Sequence, residues 1–273
     1  MTDGVSDIDQ TRPSLARIYD YLLGGKDNYA VDRAIGDRFK NDLPGSVDIA
    51  HSNRATLVRA VRDISVTTGI RQFIDLGSGL PTADNVHHVA QRHAPGSHVV
   101  YVDNDPIVLA HGRALLEENE DTVVLQADAR DFEAIRHHPD TTQLIDFEEP
   151  VAVIMSAILH LVNDDEDPAG IVRYWREQVP SGSHFFISHF RSGDNPETAE
   201  AEAMLLDNFG RGRWRTDKEI HTLFDGLEIL EPGIVPCVAW RPDAAEGVPH
   251  IGPAHHEPTV WERLIVAGLA RKA

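Results

Sequence analysis

Asp75-Leu76-Gly77-Ser78-Gly79-Leu80-Pro81-Thr82 is the segment that most clearly indicates the fold class of this chain. It closes a short apolar run and opens a helical pattern, so its two glycines lie in a strand-to-helix turn. Glycine in such a turn allows positive φ and lets the backbone come close to a ligand. Open parallel sheets bind ligands at the carboxyl ends of their strands, and the turn therefore marks a candidate binding site.

Strand-like and helix-like patterns alternate outward from this turn. Continuous apolar runs of strand length, as expected for strands buried on both faces, are 71–76, 98–103, 122–126, 151–155 and 184–188. Helical patterns cover 82–93, 106–119, 168–179, 196–209 and 216–224. This alternation predicts an α/β fold with a parallel, doubly wound, Rossmann-like sheet. The later runs 227–235 and 260–269 predict an antiparallel hairpin at the edge of that sheet.

The chain is expected to hold one catalytic core with an extension before it. Residues 1–68 look helical, and we assign them to a helical N-terminal extension. Residues 69–273 hold the alternating pattern and form the Rossmann-like core. The loop 241–258 is rich in Pro, Gly, Ala and His, and its length predicts mobility or a functional role.

Composition limits the classes of partner. The chain has 25 Lys plus Arg against 44 Asp plus Glu, a net charge of −19, which disfavours nucleic acids and anionic membranes. No run approaches the roughly 18 apolar residues of a membrane span, and the acidic start does not resemble a signal peptide. Cys237 is the only cysteine, so no intramolecular disulfide can form. We expect a cytoplasmic protein, and the sequence does not indicate its oligomeric state.

Acidic residues end three successive strands. Asp75 precedes the glycines, Asp103 closes the second strand, and Asp128 follows the third. A carboxylate at the end of the second strand can accept hydrogen bonds from both ribose hydroxyls of an adenosine-containing ligand, and Asp128 could accept from the adenine amino group. NAD and S-adenosylmethionine both meet this description.

Two details favour S-adenosylmethionine over NAD. A dinucleotide fingerprint has a third glycine where this chain has Thr82, preceded by Pro81. NAD also brings a pyrophosphate, whereas S-adenosylmethionine carries a positive sulfonium and amino group that suit the acid at Asp75. An NAD-dependent oxidoreductase remains the less favoured alternative.

Several long motifs resemble one bacterial family. They are Ala16-Arg17-Ile18-Tyr19-Asp20-Tyr21-Leu22-Leu23-Gly24-Gly25-Lys26-Asp27-Asn28-Tyr29, the stretch 69–82, Val100-Tyr101-Val102-Asp103-Asn104-Asp105-Pro106, Leu159-His160 and Ala267-Gly268-Leu269-Ala270-Arg271-Lys272. The chain thus resembles, nearly end to end, the S-adenosyl methyltransferase family, once classed as a domain of unknown function. The resemblance implies a class I methyltransferase fold with seven strands, and it implies no particular substrate.

The expected cofactor site follows from the strand ends and the N-terminal motif. Its candidate residues are Tyr21, Lys26, Asp75, Gly77, Ser78, Gly79, Asp103, Asn104, Asp128, Ala129 and Ser156. One hypothesis is that residues 16–29 form a lid in which Lys26 or Arg17 meets the carboxylate of the cofactor. The alternative is a purely structural helix that ends at the double glycine.

The methyl acceptor is expected beside the fourth and fifth strands. Methyl transfer needs alignment and, for an acceptor that carries a proton, a base. His160 and His189 follow these strands and are the candidate bases. The Asn/Asp-Pro-Pro-aromatic motif of DNA amino-methylating enzymes is absent after strand four, where Met155-Ser156-Ala157-Ile158 stands.

Three readings of the function result. We expect methylation of a small molecule. The alternative from another class is a non-catalytic protein that binds S-adenosylmethionine, and the third is an NAD-dependent oxidoreductase. Pairs of adjacent histidines at 87–88, 137–138 and 255–256 do not share a helix face or complete a ligand set, so no functional metal is expected.

Overall fold

A computed structural model describes residues 9–82, 84–116, 120–193, 196–242 and 258–273. Its helices are α1 (Leu15–Leu22), α2 (Ala30–Asp42), α3 (Ser46–Thr67), α4 (Val86–His93), α5 (Pro106–Leu116), α6 (Phe132–Arg136), α7 (Pro139–Leu144), α8 (Pro168–Gln178), α9 (Pro196–Phe209) and α10 (Asp217–Thr222). Its strands are β1 (Gln72–Leu76), β2 (His98–Asp103), β3 (Thr122–Gln126), β4 (Ala152–Ser156), β5 (His184–Phe190), β6 (Glu228–Ile229), β7 (Val235–Pro236) and β8 (Ile265–Arg271). Much of the predicted loop 241–258 lies outside the described residues.

The strands form one mixed sheet in the order β3-β2-β1-β4-β5-β8-β6, and β7 also pairs with β8. Strands β1 to β5 are parallel, which confirms the predicted doubly wound α/β fold. The strand order reverses between β1 and β4, and such a switch point opens a crevice at the carboxyl ends of the strands. The glycine turn after β1 lies at this crevice.

The predicted edge hairpin differs from the structure in two respects. Strand β8 lies inside the sheet, antiparallel to β5 on one side and to β6 on the other. The run 227–235 is not one continuous strand but contributes the separate short strands β6 and β7. Pro232 lies between them, and a proline has no N–H to donate to a ladder, so the strand is interrupted there.

Side chains of the parallel strands alternate between two cores, one on each face of the sheet. Phe73, Ile154 and Phe186 pack in the core that includes residues of α3 and α4. Ile74 and its neighbours on β4 and β5 pack in the opposite core with Trp175 of α8. Burial on both faces explains why these strands read as continuous apolar runs in the sequence.

The N-terminal helices lie at the carboxyl ends of the strands. A buried ion pair joins Arg17 of α1 to Asp32 of α2, with Nε and Oδ2 2.7 Å apart. Ser14 caps α1 and also hydrogen-bonds Asp105 in the loop after β2, so the helix is tied directly to the sheet. Within the described ranges, every helix is too short or too polar to cross a membrane.

Candidate cofactor and acceptor site

A cavity of about 770 Å³ lies at the carboxyl ends of β1 to β5. Residues at the ends of all five strands line it, and residues of α1, α2 and α3 line it from the other side. Adjacent strands are about 4.8 Å apart, so five strand ends span about 19 Å. Pockets for drug-sized ligands measure roughly 300–1,000 Å³, and this cavity is large enough for a cofactor and a second small molecule.

The glycine turn is shaped by its own backbone. Gly77 and Gly79 have φ of +70° and +67°, in the left-handed region that favours glycine. The N–H groups of Gly77 and Ser78 both donate to the carbonyl oxygen of Val102, at 2.8 and 3.1 Å. A Cβ atom on Gly77 would lie 2.7 Å from the side chain of Ile158. The turn is therefore a tight cradle between β1, β2 and the loop after β4.

Gly77→Ala is expected to lower the unfolding free energy by about 2–3 kcal/mol and to weaken cofactor binding at least about tenfold, because strain at positive φ adds to a clash with Ile158. Gly69→Ala is the matched control, since Gly69 also has positive φ but its added Cβ would meet nothing within 4 Å. Urea unfolding and calorimetry measure the two effects. If both variants were destabilised equally and Gly77→Ala bound the cofactor with unchanged affinity, the close packing of the turn against Ile158 would have no role in cofactor binding.

Asp103 organises the loops on either side of β2. Its Oδ2 accepts a hydrogen bond from Gly79 N at 2.8 Å, and its Oδ1 accepts one from Asp105 N at 3.0 Å. Burial raises the pKa of Asp103 to about 6, although these backbone donors oppose the rise. The carboxylate lines the cavity and can accept further hydrogen bonds from a ligand.

Asp75 is a buried carboxyl group that lines the same cavity. It is 3% exposed and accepts no hydrogen bond from the described residues. Burial raises its pKa to about 7; the positive charge of Arg54 lowers the pKa and the nearby Asp103 raises it. A cationic ligand would supply the positive charge that this carboxylate lacks.

Arg54 of α3 is a site residue that sequence reasoning missed. It lines the cavity, and its Nη2 donates to Asp84 O at 2.7 Å and to Asn85 Oδ1 at 3.2 Å. Its Nε is buried and has no hydrogen-bond partner among the described residues. No sequence signal marks Arg54, because only the packing of α3 against the sheet brings it to the glycine turn.

Asn104, Asp128, Ala129 and Ser156 line the cavity as well. The carboxylate of Asp128 is held by Arg130, whose Nε lies 2.8 Å from Oδ1. This ion pair lowers the pKa of Asp128. The structure thus brings nine of the eleven candidate cofactor residues together: Asp75, Gly77, Ser78, Gly79, Asp103, Asn104, Asp128, Ala129 and Ser156.

Tyr21 and Lys26 are placed elsewhere and do not line the cavity. The hydroxyl of Tyr21 donates to Asp37 Oδ1 at 2.6 Å, and Lys26 is exposed to solvent just beyond the end of α1. Arg17 lines the cavity, but its guanidinium is paired with Asp32. Helix α1 therefore covers the cavity through other side chains. Lys26 lies outside the cavity and the charge of Arg17 is already paired, so neither residue offers an unpaired positive charge to a ligand there.

The two candidate bases differ in position. His160 lies in the 3₁₀ turn 159–161, lines the cavity and is 4% exposed. Burial, with smaller effects from His189 and Arg215, holds the pKa of His160 well below 6.5. Its Nδ1 is buried without a hydrogen-bond partner among the described residues.

His189 does not line the cavity. Its Nδ1 is 2.6 Å from Phe190 O, and its Nε2 is 2.9 Å from Nη1 of the buried Arg215. Burial lowers the pKa of His189 to about 3. Both ring nitrogens are thus engaged behind the cavity wall.

Asn53 is a second residue that sequence reasoning missed. Its Oδ1 accepts from Ser188 Oγ at 2.6 Å, and its Nδ2 donates to the hydroxyl of Tyr19 at 3.0 Å and to Ser156 Oγ at 3.3 Å. These bonds tie α1 and α3 to the ends of β4 and β5. A signal was present, since Asn53 interrupts the apolar spacing of Ile49 and Leu57 on α3.

Comparison with known proteins identifies the family. The family described as S-adenosyl methyltransferase matches residues 1–273. A candidate methyltransferase from Thermobifida fusca YX is 42% identical, with a TM-score of 0.90 over 97% of each chain. A DUF574 family protein from Streptomyces avermitilis MA-4680 is 38% identical, with a TM-score of 0.89 over 97% of this chain and 100% of that one.

A more distant structure shows the fold alone. An O-methyltransferase family protein from Burkholderia thailandensis is 14% identical, with a TM-score of 0.53 over 93% of this chain and 70% of that one. None of the curated proteins compared with the chain matches it. The full-length family match and the two closely similar structures agree with the cavity geometry: the chain belongs to the S-adenosyl methyltransferase family and is an S-adenosylmethionine-dependent methyltransferase.

Proposed function

We propose that this methyltransferase acts on a small molecule that binds beside the cofactor in the cavity at the strand ends. The observation that carries the proposal is the division of this cavity by the strand order. Acidic groups and the glycine turn lie at the ends of β1, β2 and β3, whereas mainly apolar side chains lie beyond β4 and β5. One half suits the charged cofactor, and the other suits a small acceptor.

The residues of the acidic half fit S-adenosylmethionine. Asp75 lacks a donor among the described residues, and Arg54 Nε and Ser78 Oγ are buried without partners among them. In our proposal Asp75 pairs with the positive amino and sulfonium end of the cofactor, and Arg54 meets its carboxylate. Asp103 accepts from the ribose hydroxyls, and the segment 127–130 surrounds the adenine.

The protein's own part in the reaction is to align the reactants and to accept a proton. When bound, S-adenosylmethionine supplies a methyl carbon whose bond to sulfur breaks, with the electron pair left on sulfur, as the acceptor atom bonds to that carbon. His160 is uncharged at neutral pH because burial holds its pKa well below 6.5, so an unprotonated ring nitrogen can accept a hydrogen bond from the acceptor and take up its proton once methyl transfer has made that proton acidic. The helices over the cavity limit the access of water.

The size of the acceptor and the cellular compartment stay predictions. The position of the cavity beneath α1, α2 and α3 and the net charge of −19 favour a small acceptor over a nucleic acid. The cytoplasm is the expected compartment, in keeping with the single buried thiol of Cys237.

A thermal-shift panel of S-adenosylmethionine, S-adenosylhomocysteine, NAD and NADP tests the cofactor half of this proposal. A ligand at about 100 times its Kd stabilises a protein by about 2.7 kcal/mol. We therefore expect the first two ligands to raise Tm by about 5 °C or more, and the dinucleotides to leave it unchanged. Stabilisation by NAD alone would overturn the assignment of the acidic half.

A further inference from the structure

The cavity half beyond β4 is lined by bulky apolar side chains. Six of them define what we call the acceptor lobe: Phe39, Ile49, Phe190, Leu205, Trp214 and Trp261. They come from six separate parts of the chain, namely α2, α3, the end of β5, α9 and two loops. Apolar walls favour the binding of an apolar ligand, so the side chains that line the acceptor lobe indicate the chemical class of the acceptor.

Aromatic rings give one wall of the acceptor lobe a definite shape. The rings of Phe190 and Trp214 are stacked, with centroids 4.9 Å apart and an angle of 9° between their planes. The ring of His160 meets Phe190 edge-on, with centroids 4.6 Å apart and an angle of 87°. Stacked and edge-on contacts are the arrangements that aromatic rings prefer, and they extend readily to a flat guest.

The cationic side chains outside the acidic half of the cavity offer little to an anion. Arg17 is paired with Asp32 at 2.7 Å, and Arg211 with Glu166 at 2.7 Å. Arg12 also lines the cavity but is exposed to solvent. An ionic group brought into the acceptor lobe would lose its hydration without gaining an unpaired partner charge there, which is costly.

Three side chains bring polar atoms into this apolar half. Ser46, His160 and Trp214 line the cavity, are 8%, 4% and 6% exposed, and have buried polar atoms without partners among the described residues. Burial keeps the His160 ring uncharged at neutral pH because its pKa lies well below 6.5. The polar complement of the lobe therefore matches a guest with one or two neutral hydrogen-bonding groups.

We propose that the methyl acceptor is an uncharged molecule with a flat, ring-containing apolar body and a hydroxyl or N–H group that reaches His160. The ring system packs against Phe190 and Trp214 in the acceptor lobe. Selection against charged analogues follows from the lack of an unpaired charge among the described walls of the lobe. This inference rests on the proposed function, since it assigns the partner of the cofactor in the same cavity.

Two probes with the same ring system test the inference: 1-naphthol, which is neutral, and 1-naphthalenesulfonate, which is anionic. Calorimetry first establishes saturation of the protein by S-adenosylhomocysteine, and each probe is then titrated into that complex. We expect 1-naphthol to bind at least about tenfold more tightly than the sulfonate, because only the anion has to surrender the hydration of a charge.

A pair of variants on one helix locates the binding. Ala201 of α9 is buried and lines the cavity, whereas Ala203 of the same helix is exposed. Ala201→Leu adds volume inside the acceptor lobe and is expected to weaken 1-naphthol binding about tenfold, with S-adenosylhomocysteine binding unchanged. Ala203→Leu makes the same substitution on the solvent face and is expected to change neither affinity by more than about twofold.

The outcomes separate the two proposals. Failure of S-adenosylhomocysteine to bind would contradict the proposed function itself. Binding of S-adenosylhomocysteine without 1-naphthol, a preference for the sulfonate, or equal effects of the two alanine variants would overturn the acceptor inference alone. The comparison of the two probes uses the wild-type protein, so the inference stays testable even if Ala201→Leu does not fold.

Discussion

Asp75→Asn is expected to stabilise the cofactor-free protein at pH 8 by about 2–3 kcal/mol and to weaken S-adenosylmethionine binding at least about tenfold. Folding at that pH buries an ionised carboxylate that accepts no hydrogen bond from the described residues. The neutral amide removes this cost, which is about 4 kcal/mol for a pKa raised from 3.8 to about 7, and leaves a smaller cost for an unpaired polar group. The same change removes the negative charge that we assign to the cationic end of the cofactor.

The effect on stability depends on pH in a defined direction. The folded pKa of Asp75 is raised to about 7 from 3.8, so its protonation favours the folded state. That contribution is complete below about pH 4 and is lost as the pH rises through 7. The difference between variant and wild type should therefore shrink by about 2–3 kcal/mol from pH 8 to pH 5, as measured by urea unfolding.

Cofactor binding should show the complementary dependence on pH. The wild-type affinity for S-adenosylmethionine is expected to rise from pH 6 to pH 8 as Asp75 ionises, whereas Asp75→Asn should lose the component with a midpoint near 7. Asp207→Asn, on the exposed face of α9, is the control and should match the wild type. A variant that is less stable at pH 8 and binds the cofactor with unchanged affinity would refute the role of Asp75.

Asp103→Ala is expected to weaken S-adenosylmethionine binding about 100-fold or more. Hydrogen bonds to charged groups contribute roughly 1.5–3 kcal/mol each, and two ribose hydroxyls would lose their acceptor. The change also leaves the N–H groups of Gly79 and Asp105 without the carboxylate that holds them at 2.8 and 3.0 Å. Loss of ligand contacts and loosening of the turn therefore act in the same direction.

Asp103→Asn separates charge from shape. The amide retains one oxygen acceptor but cannot replace both carboxylate oxygens, so we expect a loss of about tenfold, between wild type and Asp103→Ala. Calorimetry with S-adenosylhomocysteine measures these affinities independently of any acceptor. A loss of less than about threefold for Asp103→Ala would show that the end of β2 does not hold the ribose.

Local patterns in the sequence were sufficient for the parallel half of the fold. Strands β1 to β5 were predicted to within about two residues, because burial on both faces leaves an unbroken apolar run. The late strands were harder, since β6 and β7 have two residues each and too few side chains to show a period. The position of β8 inside the sheet is a matter of strand pairing across the chain, which no local pattern reveals.

The candidate site divides in the same way. Residues in the turns after β1, β2 and β3 were predictable, because parallel strands carry their ends to one edge of the sheet. Tyr21, Lys26 and His189 were placed in the site by motif or by proximity in sequence, and the structure positions them outside the cavity lining. Tyr21 is held by its hydrogen bond to Asp37, and His189 by its hydrogen bond with Arg215. Lys26 lies just beyond the end of α1 and is exposed to solvent.

The fold class and the family could be predicted from the sequence, because hydrophobic periodicity and the long motifs around Gly77 and Gly79 are local properties. Which charged groups are paired, and which face the cavity, became apparent only in the folded structure. Asp75 accepts no hydrogen bond from the described residues, and Asp128 is held by Arg130. Arg54 belongs to α3, about twenty residues before the glycine turn in the sequence, and lines the same cavity. The physical reason is that charge and hydrogen-bond satisfaction depend on neighbours in space, which the chain brings together only when it folds.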